Sequence, residues 1–205
     1  MGEGERPAPV EPDPRLAEVL HIEPDAADIA PSREADPEHG GDGGGSLLRG
    51  QVIHRLLQLA CEGEADPPAR AARETGLDPH DPSLEGWWDE ARRVLENPDF
   101  ADLFDPARYR KAWNEVPVQY RDGARLVAGR IDRLVMQADG LYLVDYKTHP
   151  LDDETALRAL VEDYRPQMRL YREAVRRLWP DRPVRAGLLF TWCGRLLEIG
   201  TKRPD

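Results

Sequence analysis

The chain has 205 residues, and its 39 acidic and 28 basic side chains give a formal net charge of −11. It contains no run of about 18 apolar residues and no basic and apolar signal region at its start, so we expect a cytoplasmic protein without a membrane span. Two distant cysteines, Cys61 and Cys193, exclude a disulfide scaffold, a zinc finger and a four-cysteine iron–sulfur cluster within this chain, and the absence of a GxxxxGKS/T loop excludes an ATP site of that type.

The negative charge is concentrated at the N-terminal end. Residues 1–45 carry 12 acidic and 3 basic side chains together with 7 prolines and 7 glycines, whereas residues 46–205 carry 27 acidic and 25 basic side chains. A segment this polar and this rich in proline and glycine cannot bury a core. We therefore predict a linker or tail over 1–45 and one folded domain over 46–205.

The first part of the domain has a helical pattern, and we assign 46–106 to it. Ser46 is a plausible N-cap and Gly63 a plausible stop, which predicts a helix over 46–62 that is apolar on most sides and carries His54 on a second face. Further helices are predicted over 68–76, 84–97 and 99–105.

The pattern then changes to that of strands, and we assign 112–200 to a sheet core. Alternating or continuous apolar residues predict five strands, and a 3.6-residue period predicts one long helix over 153–178 between the third and fourth strands. The predicted strands are 113–120, 125–136, 141–147, 184–192 and 195–200. This order of elements indicates an α/β fold with an extra helical N-terminal part.

Polar side chains cluster on the hairpin formed by the second and third strands. Asp139-Gly140 predicts a two-residue turn, which would place Asp132 opposite Lys147 and Leu134 opposite Asp145. Since side chains alternate along strands, Asp132, Asp145 and Lys147 would all project from one face.

Two explanations of this cluster remain open. The simpler one is a cross-strand ion pair between Asp132 and Lys147, with Asp145 in solvent. The alternative is a divalent cation held by both carboxylates, because two acids on buried strands are costly without a compensating charge. Hard oxygen ligands favour Mg²⁺ or Mn²⁺.

Three motifs in this region resemble those of a known family. GRID is followed by twelve residues and DYK, RGQVIHRLLQ precedes them, and YRPQMRLYREAV follows. This order resembles the PD-(D/E)XK nucleases of RecB type. The segments IAPSR at 29–33 and VRAGLLFTWCGRLLEI at 184–199 further resemble the C-terminal nuclease domain of AddA-type helicase–nucleases. The resemblance implies a PD-(D/E)XK core, which is a mixed central sheet flanked by helices.

The resemblance also implies roles for particular residues. His54, Asp132, Asp145 and the carbonyl of Tyr146 would bind Mg²⁺, and Lys147 would assist hydrolysis together with Gln167 and Tyr171. The implied activity is that of a sequence-independent DNA exonuclease in double-strand break repair and recombination, acting on the 3′-ended strand. The implied partners are DNA, helicase motor domains and an AddB-like subunit.

Several simpler or competing interpretations stand beside these. His54 and Tyr171 could be ordinary core residues, Glu115 could point into the site from the first strand, and Arg130 and Arg133 could contact DNA phosphates. The chain could also be a catalytically silent DNA-binding or docking module of a helicase complex. A stand-alone RecB-like exonuclease is a further alternative, although such relatives carry a cysteine cluster that two isolated cysteines cannot build.

Overall fold

The computed structural model describes residues 43–148, 150 and 153–200, and it begins with a helical layer. This layer contains a 3-10 turn at Pro98–Phe100 and four helices: α1 (Gly43–Cys61), α2 (Pro67–Thr75), α3 (Ser83–Leu95) and the short α4 (Ala101–Phe104). Helix α1 starts three residues earlier than predicted, so Ser46 lies inside it. Glycine makes a helix less stable by about 1 kcal/mol per residue but does not prevent it from forming. The glycines at 43–45 therefore belong to the helix and did not mark the boundary before it.

Other helix ends follow their local signals. Gly63 and Gly76 take left-handed φ angles just beyond α1 and α2, and the Asp66 carboxylate accepts a hydrogen bond from the N–H of Ala69 at the start of α2. The segment IAPSR and most of the acidic stretch predicted as a linker lie outside the described residues.

Five strands form one mixed sheet in the order of the sequence. They are β1 (Lys111–Asp122), β2 (Arg125–Met136), β3 (Leu141–Lys147), β4 (Val184–Phe190) and β5 (Arg195–Glu198). All neighbours are antiparallel except β3 and β4, which are parallel and are joined through the 25-residue helix α5 (Glu154–Leu178). The predicted α/β class with a mixed sheet is confirmed, and β4 and β5 each end two residues earlier than predicted.

The register of the β2–β3 hairpin differs from the prediction. Met136 pairs with Leu141, and the N–H of Gln137 donates to the carbonyl of Gly140, so the two-residue turn is Ala138-Asp139. The predicted pairs of Asp132 with Lys147 and of Leu134 with Asp145 are therefore wrong by two residues.

The register of the hairpin is explained by the segment before β4, which is far away in sequence. A Cβ atom at Gly140 would lie 2.5 Å from the carbonyl oxygen of Pro183, just before β4. Gly140 is thus required by close backbone packing and not by the turn. The shift is an even number of residues, so Asp132 and Asp145 keep the same face of the sheet, as predicted.

Helices cover both faces of the sheet. On one face α5 packs through a cluster that includes Leu143, Met168 and Tyr171. On the other face α1 to α4 pack through a second cluster that includes Leu56 and Val144. The central strand β3 is buried along nearly its whole length. Among the described residues, none of the helices combines the length and apolar character needed to cross a membrane.

Candidate active site

His54 on α1 meets the sheet at Asp132 on β2. The His54 Nδ1 atom lies 3.4 Å from Asp132 Oδ1, and Asp132 Oδ2 accepts a hydrogen bond of 2.5 Å from the backbone N–H of Tyr146. The Tyr146 ring also contacts the imidazole edge-on, with 5.6 Å between the ring centroids. Asp132 thereby connects the helical layer to the end of β3.

Glu115 on β1 joins this pair. One ligand atom from each of His54, Glu115 and Asp132 lies within 4.8 Å of the other two. Glu115 has a φ of 52°, the left-handed region that a non-glycine residue rarely adopts. Its Oε2 atom is 3.3 Å from a guanidinium nitrogen of Arg130. The structure thus brings Glu115 to the site, which the sequence offered only as an alternative.

Asp145 and Lys147 form a second charged pair beside the first. Asp145 is only 4% exposed, and its Oδ2 atom lies 2.8 Å from Lys147 Nζ. The ammonium group also lies over the ring of Tyr164 on α5, 3.4 Å from the ring centroid. The simple explanation that paired Lys147 with Asp132 and left Asp145 in solvent is therefore wrong.

Gln167 and Tyr171 on α5 extend the site from the other side of Asp145. Gln167 Nε2 lies 3.4 Å from Asp145 Oδ1 and donates to the Tyr171 hydroxyl at 3.2 Å. The Tyr171 hydroxyl also accepts from the backbone N–H of Arg130 at 3.3 Å. Within the described part of the chain, the buried Gln167 Oε1 atom has no hydrogen-bond partner.

The sequence interpretation missed Tyr164. Tyr164 packs against the apolar cluster beneath α5, and its neighbour Lys147 belongs to a different element. The available signal was its spacing, since a residue three before Gln167 shares that helix face. Tyr164 holds the lysine between an aromatic face and a carboxylate.

The pKa values of the site show an excess of negative charge. Burial lowers the pKa of His54, but the carboxylates of Asp132, Asp145 and Glu115 outweigh it and raise that pKa to about 9. Burial and the neighbouring Asp132 raise the pKa of Glu115. The site therefore favours an added positive charge, and in its metal-free form it takes up a proton on His54.

Opposite shifts occur at the two aspartates. Burial raises the pKa of Asp145, an effect that Lys147 opposes and Asp132 reinforces. The pKa of Asp132 is lowered despite its burial, because His54, the N–H of Tyr146 and Lys147 all favour its ionised form. Burial opposes the charge on Lys147, but Asp145 overcomes this and raises the lysine pKa.

These residues fit a divalent cation. Carboxylate oxygens and one imidazole nitrogen are the donor types that Mg²⁺ and Mn²⁺ accept, and the three closest donors converge from three different elements. Lys147 and Arg130 accompany the three carboxylates, yet the raised pKa of His54 shows that the site still favours a further positive charge. The arrangement can thus combine a bound cation with an adjacent fixed ammonium group.

The two arginines expected at a DNA surface have different positions. Arg130 is exposed and lies beside Glu115. Arg133 is only 1% exposed, and it donates to the carbonyl of Leu103, the Asn114 side chain and the Tyr109 hydroxyl. The expectation of a DNA contact at Arg133 is corrected accordingly: it faces the helical layer and ties α4 and β1 to β2.

Comparisons with known proteins identify the family of the chain. A family model described as the PD-(D/E)XK nuclease superfamily matches residues 31–196. One subunit of the ATP-dependent helicase/nuclease of Lactobacillus delbrueckii subsp. bulgaricus is 28% identical over 116 residues, which make up 55% of this chain and 9% of the relative. The match therefore spans only a small part of that relative.

Two solved structures share weak similarity with the chain. Protein VC1899 from Vibrio cholerae matches with a TM-score of 0.32 and 14% identity, covering 71% of this chain and 42% of that one. SSO0001 matches with a TM-score of 0.35 and 15% identity, covering 91% and 72% respectively.

Proposed function

The chain belongs to the PD-(D/E)XK nuclease superfamily, and we propose on that basis that it is a Mg²⁺-dependent deoxyribonuclease that hydrolyses phosphodiester bonds as an exonuclease. The observation that carries the proposal is the pairing of His54 with Asp132 beside the buried Asp145–Lys147 pair. A protein that only docks on DNA has no need for three carboxylates around one histidine and one lysine.

The proposed metal ligands are His54, Asp132, Asp145 and the carbonyl of Tyr146, with Glu115 as an additional carboxylate. When bound, Mg²⁺ or Mn²⁺ would polarise a non-bridging phosphate oxygen and lower the pKa of bound water. The imidazole must be neutral to act as a ligand, so its proton has to leave when the cation binds.

The remaining catalytic residues act from β3 and α5. Lys147 supplies a fixed positive charge that can orient the attacking water and offset charge building on the phosphate. Gln167 has a buried amide next to Asp145, and its free oxygen can accept a hydrogen bond from that water. Tyr171 positions Gln167 through its hydroxyl.

We further propose that the chain acts as the nuclease part of an AddA-like helicase–nuclease in double-strand break repair and recombination. The partial match to a protein of a helicase/nuclease complex supports this context. The near balance of 27 acidic and 25 basic residues over 46–205 predicts weak non-specific DNA binding, since that affinity depends on phosphates neutralised. Attached motor domains, the acidic stretch as a tether and an AddB-like partner would then deliver the 3′-ended strand.

Linear single-stranded DNA incubated with the purified chain tests the activity. We expect fragments in Mg²⁺ or Mn²⁺, none in chelator, and none from Asp132→Asn or Asp145→Asn, because each substitution removes an anionic ligand. Sequencing the fragment ends would reveal any base preference, which we expect to be absent because no group at the site is proposed to read base edges.

A parent protein that binds no divalent ion in calorimetry and cuts no DNA would overturn the proposal in favour of the docking module. Vigorous digestion by the isolated chain, with nanomolar DNA affinity at physiological salt, would instead favour a stand-alone exonuclease.

A further inference from the structure

We propose that the exposed indole of Trp192 is a stacking contact for an unpaired base of the substrate, so that the site prefers single-stranded nucleic acid. This proposal rests on the proposed nuclease function and identifies a part of the substrate that the metal site does not recognise.

Trp192 is unusual among the tryptophans of the chain. Trp113 and Trp179 are buried, and Trp87 and Trp88 pack against the core, whereas Trp192 is 49% exposed. It belongs to the short turn that follows β4 and contributes nothing to either apolar cluster of the described residues. Single exposed apolar side chains are common on protein surfaces, so the contacts around this indole are what indicate a role.

The indole of Trp192 contacts a guanidinium that is itself part of a buried network. The Arg49 guanidinium on α1 lies over its ring, 5.3 Å from the centroid. That guanidinium is held at 2.5 Å by Glu90 on α3, a carboxylate only 2% exposed. The hydroxyl of Thr191, the residue before the indole, donates to the same carboxylate at 2.5 Å. A buried ionic network therefore holds the Arg49 guanidinium and Thr191, the residue that precedes the indole.

The same network reaches the candidate active site. Arg49 also donates to the carbonyl of Thr148, the residue that follows Lys147. The backbone N–H of Thr191 donates to the carbonyl of Lys147 at 2.9 Å. Lys147 pairs with Phe190 at the ends of the parallel strands β3 and β4, so Trp192 lies two residues beyond the position that faces the proposed catalytic lysine.

The chemistry of the Trp192 indole indicates the kind of ligand that it can bind. Aromatic side chains bind single strands by stacking on base faces, which every base offers and which a duplex hides between neighbouring pairs. Since the Arg49 guanidinium lies over one face of the ring, the base would stack on the other face, and the cation polarises the indole between them. The preference is independent of sequence, in keeping with an active site that reads only phosphates.

The test compares Trp192→Leu with Trp192→Phe in the full chain. Both variants keep an apolar side chain, but only phenylalanine keeps an aromatic face. The probe is a fluorescein-labelled oligothymidylate of about 20 nucleotides, measured by anisotropy in chelator at low salt. Leu47→Ala, which alters another exposed apolar side chain on α1, serves as the control.

We expect Trp192→Leu to weaken binding of this probe by roughly 5- to 100-fold, the range measured for loss of one stacked base, while Trp192→Phe and Leu47→Ala stay within about threefold of the parent. Binding of a blunt duplex, whose bases are stacked on one another, should be unchanged in all variants. Equal affinities of Trp192→Leu and Trp192→Phe for the oligothymidylate, or equal losses on single strand and duplex, would overturn the proposal. A parent that binds but never cleaves would refute the nuclease function alone, because the binding comparison needs no metal.

Discussion

Glu115 and Asp132 face each other across the β1–β2 ladder. The residues on either side of Glu115 pair with the residues on either side of Asp132, yet Glu115 itself leaves the extended conformation, with a φ of 52°. Strained residues of this kind persist where the surrounding structure enforces them, and they cluster at functional sites. The relationship makes Glu115 the part of the site that differs most from an ordinary strand residue.

Glu115→Gln should separate stability from metal binding. Because burial and Asp132 raise the pKa of Glu115, its charge destabilises the folded protein at neutral pH, and removing it should raise the melting temperature in chelator. The same change should weaken Mn²⁺ binding by about 10- to 100-fold, as loss of a group that supports a metal site commonly does. Thermal melts with and without Mn²⁺, together with calorimetry, measure both effects. A lower melting temperature in chelator, or unchanged Mn²⁺ affinity, would contradict this assignment.

The strain at the same position can be measured with a matched pair. Glycine tolerates a left-handed φ, whereas alanine pays roughly 1–2 kcal/mol for it. Glu115→Gly should therefore be more stable than Glu115→Ala by about 1 kcal/mol in urea unfolding with chelator present. In an ordinary strand the order would be reversed, so the sign of the difference is decisive.

Metal affinity should depend on pH through His54. Its pKa of about 9 in the metal-free protein means that the imidazole is protonated at pH 7, and one proton must leave as Mn²⁺ binds. The apparent affinity should rise up to tenfold for each pH unit between about 6.5 and 8.5, and His54→Asn should flatten the slope. Calorimetry in two buffers of different ionisation enthalpy counts the released proton. A pH-independent affinity in the parent would contradict His54 as a ligand.

The same shift predicts how the stability of the metal-free protein changes with pH. The folded pKa of His54 lies above its unfolded value of 6.5, so its stabilising contribution is complete below pH 6.5 and is lost as pH rises to about 9. In chelator, the parent should lose stability across this window more steeply than His54→Asn does. Urea unfolding at several pH values measures the difference, and parallel curves for the two proteins would refute it.

Lys147→Met should uncouple metal binding from catalysis. The ammonium group forms an ion pair with Asp145, so its removal leaves that carboxylate free to attract a cation. Calorimetry should show Mn²⁺ affinity equal to or higher than that of the parent, whereas cleavage should fall by about 10²-fold or more. If Mn²⁺ binding and cleavage fall together, Lys147 supports the metal site and the proposed separation of the two roles is wrong.

Arg130 and Arg133 offer a contrasting pair. Arg133→Met removes three hydrogen bonds of a buried side chain and should lower the free energy of unfolding by about 2–4 kcal/mol, because its partners lose their donors. Arg130→Ala should change stability by less than about 1 kcal/mol. If Arg130 contacts phosphates, its loss should also reduce the salt dependence of DNA binding. Equal destabilisation by the two substitutions would contradict the burial of Arg133.

Much of this architecture could be predicted because its signals are local. The strand alternation, the helix period of α5 and the stop at Gly63 depend on residues close in sequence, and they located the sheet within a few residues. The face shared by Asp132 and Asp145 follows from alternation alone. These signals sufficed to bring the two carboxylates together before any tertiary contact was known.

The predictions failed where contacts between residues far apart in sequence determine the structure. Gly140 was interpreted as a turn residue because the approach of Pro183 is invisible from the hairpin. A DNA contact was offered as one possibility for Arg133, because the helical residues that cover it lie about thirty positions away. Glu115 needs a backbone angle that no strand pattern predicts. In each case the local sequence allowed more than one conformation, and tertiary packing determined which one the chain adopts.

The division of the site between two layers has a consequence for its operation. His54, Arg49 and Glu90 belong to the helical layer, whereas Asp132, Asp145 and Lys147 belong to the sheet. Proteins open locally in cooperative units well below their global unfolding free energy. If α1 transiently detached from the sheet, the site would lose the His54 imidazole and Trp192 would lose its contact with Arg49. Asp132 and Asp145 would remain in place on the intact sheet. Because the apolar side chains of α1 are fully buried against the sheet, such a detachment would expose much apolar surface, and the site stays whole for as long as the two layers remain packed together.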